Sequence, residues 1–67
     1  MNLKEVIKER RRVLNITQID LAEMSDVSLA TVKDIERGVA NPSMKTVIRV
    51  LEVLGMEMDF HIRNING

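Results

Sequence analysis

Apolar residues recur at helical spacing in four short segments, each preceded by a small polar residue. A repeat of about 3.6 residues is typical of amphipathic helices. The predicted helices cover residues 3–14, 18–24, 29–37 and 44–54. Their predicted N-caps are Asn2, Thr17, Ser28 and Ser43, whose side-chain oxygens can accept hydrogen bonds from free backbone N–H groups. Gly38 follows the third segment, where glycine accepts a positive φ without steric cost. The pattern predicts an all-α domain.

The repeat changes to two residues after Gly55. Apolar residues at positions 56, 58, 60 and 62 alternate with charged or polar ones, which indicates a half-buried strand. A single strand leaves its backbone N–H and C=O groups unpaired, so its simplest partner is the same strand of a second copy around a two-fold axis. The predicted dimer interface consists of Met56, Met58, Phe60 and Ile62. We therefore expect a helical domain over residues 1–55 and a dimerisation strand with its tail over 56–67.

Composition argues against several classes of protein. The chain has 67 residues, no cysteine and one histidine, so neither a metal nor another cofactor is expected. It offers no nucleophile–base pair and no glycine-rich phosphate loop, and it is too short to enclose a pocket, so it is not expected to be an enzyme. No apolar run approaches the roughly 20 residues that a membrane span needs, which favours a cytoplasmic protein without a membrane partner.

Residues 17–38 predict two short helices joined by a tight turn at Ser25-Asp26-Val27, which is the arrangement of a helix-turn-helix unit. The stretch TQIDLAEMSDVSLATVKDIERG, together with Asn41-Pro42-Ser43 and the apolar helix that follows, resembles the Cro/C1-type family, also called the XRE family. The resemblance covers about residues 3–56. It implies a lambda-repressor-like DNA-binding domain of four or five helices. The end of the chain, residues 54–62, resembles the C-terminal strand of HipB-type antitoxins, in which two such strands pair across the dimer.

In this motif the second helix lies in the major groove, and its first residues contact the base edges. The predicted base-contacting residues are Ser28, Leu29, Ala30, Lys33 and Asp34. Lys33 can donate to guanine, and Asp34 can accept from the cytosine amino group. The alternative for both side chains is a solvated helix face. Contacts to DNA phosphates are predicted for Thr17, Gln18, Thr31, Arg37, Asn41 and Lys45.

The resemblance also implies a structural ion pair between Arg11 and Glu36. This pair is expected to be partly buried and to fix the first helix against the helix-turn-helix unit. Among the methionines, Met24 and Met44 are expected in the core.

The formal net charge is zero, but the charges are unevenly distributed. Residues 1–16 carry a net charge of +3, whereas residues 17–38 carry two basic and five acidic side chains, a net charge of −3. We therefore expect modest DNA affinity from one subunit and functional binding from a dimer.

The sequence predicts a homodimeric, sequence-specific repressor that binds a palindromic operator in double-stranded DNA at the bacterial nucleoid. Its finer form is the antitoxin and autoregulator of a HipBA-like operon, with a HipA-like kinase toxin as partner. Two alternatives stay open at this point. One is a protein-binding module that mainly neutralises a toxin, and the other is a simple phage-type repressor without a toxin partner.

Overall fold

The computed structural model describes residues 2–63, which contain four α-helices and no β-strand. The helices are α1 (Leu3–Val13), α2 (Gln18–Ser25), α3 (Leu29–Arg37) and α4 (Met44–Val53). Their ends lie within one residue of the predicted ends. The all-α prediction is confirmed for the described part of the chain.

Each helix begins where a polar side chain accepts a bond from the first helical turn. Asn2 Oδ1 accepts from the N–H of Glu5 at 3.1 Å, and Ser43 Oγ accepts from the N–H of Thr46 at 3.1 Å. At the start of α2 the bonding is reciprocal. Thr17 Oγ1 accepts from the N–H of Asp20 at 3.0 Å, while Asp20 Oδ2 accepts from the N–H of Thr17 at 2.9 Å. This capping box fixes the first residue of α2.

The turn between α2 and α3 is held by its backbone and by one buried hydroxyl. Asp26 adopts a left-handed conformation with φ 57°, and the N–H of Val27 donates to the carbonyl of Ala22 at 3.0 Å. The buried Ser25 hydroxyl donates to the carbonyl of Leu21 at 2.6 Å. Val27 then packs against the core. These contacts fix the direction in which α3 leaves α2.

All four helices contribute to one apolar core. Its buried side chains are Ile7, Leu21, Ala22, Val32, Ile35, Val47, Val50, Leu51 and Leu54. The structure thereby places α2 against both α3 and α4, and α1 against α3. A side-chain hydrogen bond also joins α1 to the end of α4, where Arg10 Nε donates to the carbonyl of Leu54 at 2.9 Å. This bond explains why an arginine lies on the apolar stripe of α1.

A buried ion pair connects α1 to the end of α3. Arg11 Nε and Nη2 donate to the two carboxylate oxygens of Glu36 at 2.8 and 3.0 Å, and the Glu36 side chain is only 2% exposed. Arg11 Nη1 also donates to the carbonyl of Ile16 at 3.1 Å, and Gln18 Nε2 donates to Glu36 Oε1 at 3.3 Å. We call these four residues the Arg11–Glu36 cluster. The cluster joins α1, the α1–α2 connection, the start of α2 and α3.

The same contacts change the proton affinity of the arginine. The pKa of Arg11 is raised above its ordinary value, chiefly by the hydrogen bonds to Glu36 and further by the attraction of that carboxylate, while partial burial opposes the rise. The guanidinium therefore stays charged wherever the fold is stable. Two parallel bonds between charged groups also give the pair a defined orientation.

The prediction that Met24 and Met44 lie in the core is wrong. Met24 is 62% exposed and Met44 is 53% exposed. In α2 the inner face is filled by Leu21, Ala22 and Ser25, and Met24 lies outside it. Met44 begins α4 on the flank of its buried face. Both helices carry more apolar residues than this small core has room to bury.

Residues 56–63 form no helix, and they show no strand either. The predicted strand needs backbone partners from a second copy, and a single chain does not supply them. The strand and the dimer interface at Met56, Met58, Phe60 and Ile62 therefore stay predictions. The remainder of the predicted tail, residues 64–67, lies outside the described residues.

Removing the cap of α4 should weaken the fold by a modest amount. We expect Ser43→Ala to lower the free energy of unfolding by about 1 kcal/mol, since the N–H of Thr46 loses its acceptor. In a domain of this size that change corresponds to a melting temperature lower by about 4–8 °C. Ser43→Asp, which keeps an acceptor at the same place, is the matched control. Equal melting temperatures for Ser43→Ala and the wild type would contradict the cap.

Removing Arg11 should be far more damaging. In Arg11→Ala the buried carboxylate of Glu36 keeps only the Gln18 amide as a side-chain donor, and an unpaired buried charge costs about 3–5 kcal/mol. Urea denaturation followed by far-ultraviolet circular dichroism measures this loss. The double variant Arg11→Met/Glu36→Leu should be more stable than Arg11→Ala, because it leaves no buried charge. A loss below about 1 kcal/mol in Arg11→Ala would show that the ion pair does not stabilise the fold.

Candidate nucleic-acid interface

The exposed face of α3 lies opposite its core contacts. Val32, Ile35 and Glu36 are buried, so the helix turns its other side to solvent. Of the predicted base-contacting residues, Ser28, Ala30 and Lys33 are exposed and Asp34 is half-buried. Leu29 differs from these, because its half-buried side chain packs against the core. The outward face of α3 therefore presents a hydroxyl, a methyl and an ammonium group.

A shallow groove joins this face to the start of α2. It is lined by Gln18, Ala30, Lys33, Asp34 and Arg37. Within the groove Arg37 forms an ion pair with Asp34, one turn earlier on α3. Among the described residues Lys33 makes no salt bridge, so its charge is available to a ligand. The groove thus brings together residues predicted for base contacts and residues predicted for phosphate contacts.

The structure gives Gln18 a part that sequence reasoning missed. Gln18 was expected to contact a DNA phosphate, yet its amide already donates to the buried carboxylate of Glu36. The carbonyl oxygen of the same amide and a phosphate oxygen are both hydrogen-bond acceptors, so they cannot bond to each other. One amide hydrogen and the backbone N–H at the first position of α2 remain as groups that suit a phosphate.

The hydroxyls of Ser28 and Thr31 are bonded to each other at the start of α3. Ser28 Oγ donates to Thr31 Oγ1 at 2.8 Å and accepts from the N–H of Thr31 at 3.1 Å. Ser28 is exposed, whereas Thr31 is half-buried. The local capping geometry therefore orients both side chains before any ligand arrives.

The other residues predicted for phosphate contacts do not line the groove. Thr17 is exposed beside Gln18, while Asn41 and Lys45 are exposed on the α3–α4 loop and in the first turn of α4. Next to Thr17, two hydrogen bonds from that residue hold the pKa of Asp20 below its ordinary value, the backbone N–H contributing most. The start of α2 therefore carries a persistent negative charge.

In residues 2–63 no three side chains of the metal-ligating kind come together. His61 faces solvent, with its Nε2 at 3.2 Å from Asp59 Oδ2. No described helix combines the length and the apolar character that are needed to cross a bilayer.

The sequence is similar to repressors of two phages. It is 29% identical over 59 residues to the cryptic phage CTXphi transcriptional repressor RstR of Vibrio cholerae, and the match covers 88% of this chain and 53% of that protein. It is 36% identical over 58 residues to the immunity repressor protein of Bacillus phage phi105, covering 87% of this chain and 40% of that protein. The chain thus spans about half of the first repressor and less of the second.

A relative of similar length occurs in an archaeon. An uncharacterized HTH-type transcriptional regulator of Methanothermobacter thermautotrophicus is 35% identical over 63 residues, covering 94% of this chain and 87% of the relative. The sequence profile of the helix-turn-helix family matches residues 7–61, which include α2, the turn, α3 and α4. The chain therefore belongs to the helix-turn-helix family of XRE-type transcriptional regulators.

Proposed function

We propose that this protein is a transcriptional repressor that binds duplex DNA sequence-specifically as a homodimer. The observation that carries the proposal is the exposed face of α3, with Ser28, Ala30 and Lys33 outward and Glu36 locked to Arg11 on the inner side. A helix held in this way can enter the major groove as a rigid body. The two phage repressors among the relatives support the same function.

Base selection is assigned chiefly to the first turns of α3. The ammonium group of Lys33 can donate to O6 and N7 of guanine, and the methyl of Ala30 can contact the methyl of thymine. The carboxylate of Asp34 is paired with Arg37, and its remaining lone pairs can accept from the cytosine amino group. Leu29 contributes little surface to DNA, because it is half-buried against the core.

The charge balance explains why the proposal requires two subunits. The α2–turn–α3 region has a net charge of −3, so it provides little general attraction to phosphates. Two copies on one operator double the phosphate contacts, and counterion release makes that increase large at low salt. The two recognition helices should then meet half-sites about 34–36 Å apart.

The finer form of the proposal is an antitoxin that represses its own operon together with a HipA-like kinase toxin. It rests on the resemblance of residues 54–62 to the C-terminal strand of HipB-type antitoxins. The phage repressors among the relatives favour a repressor without a toxin. A kinase gene next to this one would support the antitoxin form, and DNA binding abolished by co-expression of that kinase would favour a mainly neutralising module.

Selection of bound duplexes from a random pool tests the main proposal. We expect enrichment of one inverted repeat whose two halves are about one helical turn apart. Footprinting on the enriched sequence should show two protected half-sites. Recovery of a pool without sequence preference would contradict sequence-specific repression.

Two substitutions should separate base contacts from phosphate contacts. We expect Lys33→Ala to cost about 1–3 kcal/mol on the selected operator and to relax the preference at one base pair. Gln18→Ala should weaken matched and mismatched duplexes alike. Titrations by fluorescence anisotropy at fixed salt measure both effects, with circular dichroism as a control because Gln18 also bonds Glu36. The opposite pattern would exchange the roles of the two residues.

A further inference from the structure

The segment after α4 leaves an apolar face increasingly uncovered. Met56 is half-buried against the core, but the exposed fraction then rises from 39% at Met58 to 76% at Phe60 and 100% at Ile62. Met56, Met58 and Phe60 border a groove of which α4 forms the other side, through Met44 and Ile48. One chain therefore covers the beginning of this face and leaves its end open.

The intervening positions carry acidic and basic residues in a definite order. Glu57 and Asp59 come first, and His61 and Arg63 follow; all four side chains are exposed. The contact of 3.2 Å between Asp59 Oδ2 and His61 Nε2 places these two alternate residues on one side of the chain. The charged face is thus acidic in its first half and basic in its second half. Such a face is complementary to itself when it is reversed.

We propose that a second copy of this chain covers the segment as an antiparallel strand, in the one register that places Phe60 opposite Phe60 of the second copy. In antiparallel pairs, residues directly opposite each other lie on the same face and their side chains interact. The register sets Glu57 opposite Arg63 and Asp59 opposite His61 on the charged face. On the apolar face it sets Met58 opposite Ile62. This inference rests on the proposed homodimer and places its two-fold axis at Phe60.

Neighbouring registers are worse on the charged face. A shift that places Asp59 opposite itself, or Glu57 opposite Asp59, brings acid against acid. A shift in the other direction places His61 opposite itself or opposite Arg63, and Glu57 then loses its pairing with Arg63. A shift by a single residue sets apolar residues of one strand opposite charged residues of the other, because side chains alternate between the two faces of a strand. The register centred on Phe60 avoids every such conflict.

The position of the axis has a consequence for the operator. Phe60 is the only aromatic residue of the chain, and at the axis its ring meets the same ring of the second copy. The two-fold axis then passes through the Phe60 pair, and the paired strands fix the orientation of the two helical domains relative to each other. The spacing of the two α3 helices, and hence of the half-sites, would follow from this register.

Single-cysteine variants test the register, because the natural chain contains no cysteine. Opposite residues have Cα atoms about 4.5–5.5 Å apart, which suits a disulfide. We expect Phe60→Cys to form disulfide-linked dimers quickly under mild oxidation. Met58→Cys should not, since residue 58 and its copy would be four positions out of step, about 13 Å apart.

A mixture of two cysteine variants leaves Phe60 unchanged and provides a second test of the register. Met58→Cys combined with Ile62→Cys should give a cross-linked heterodimer, whereas neither variant alone should cross-link. Rapid self-cross-linking of Met58→Cys or Ile62→Cys would overturn the register. A homodimer that cross-links at none of these positions would overturn it as well, while leaving the proposed homodimer intact.

Charge reversal tests the other face. Glu57→Arg should weaken the dimer by roughly 2- to 30-fold in sedimentation equilibrium, because it affects two symmetric pairs. Adding Arg63→Glu to the same chain should restore the dissociation constant. Glu9→Arg, an exposed change on α1, is the matched control. Failure of the double variant to recover would overturn the register. A wild-type protein that stays monomeric would overturn both the register and the homodimer. Sequence-specific DNA binding is tested independently, by the selection of bound duplexes.

Discussion

The buried carboxylate of Glu36 is the constraint on which the arrangement of helices depends. A carboxylate that is 2% exposed must be paired, since burying an isolated charge costs far more than this small fold can supply. Arg11 on α1 supplies two bonds, and Gln18 on α2 supplies a third. The three bonds to Glu36 therefore form together only in one mutual orientation of α1, α2 and α3. A purely apolar contact would tolerate small rotations of α3 that this pair does not.

The rigidity of the recognition helix then follows from short-range geometry at both of its ends. Its start is set by the left-handed backbone at Asp26 and by Val27, which packs on the core. At its other end Gly38 has φ 75°, a conformation that a side chain would strain. A Cβ atom there would also lie 3.0 Å from Lys4 Cδ. The outward face between these two fixed ends comes from the helical period alone.

Local features of the sequence were sufficient to predict most of the fold. Helix limits depend on capping and on periodicity, which are short-range properties, and the structure agrees within one residue. The burial of Met24 was predicted wrongly because periodicity marks the apolar side of a helix without showing how much of it the core can cover. The Gln18–Glu36 and Arg10–Leu54 contacts link residues far apart in sequence. No local pattern reveals the first, and the local sign of the second is an arginine on the apolar stripe of α1.

The acidic character of the α2–turn–α3 region is less adverse to DNA than its formal charge implies. Glu36 is buried with Arg11, Asp34 is paired with Arg37, and Asp20 accepts from the N–H of Thr17, the N-cap of its own helix. Three of the five acidic groups thus serve to build or orient the recognition unit. Lys33 is left as the outward cation of α3. General attraction to phosphates stays weak, so specific contacts must supply more of the affinity, and weak single contacts gain most when two identical units bind one operator at a fixed spacing.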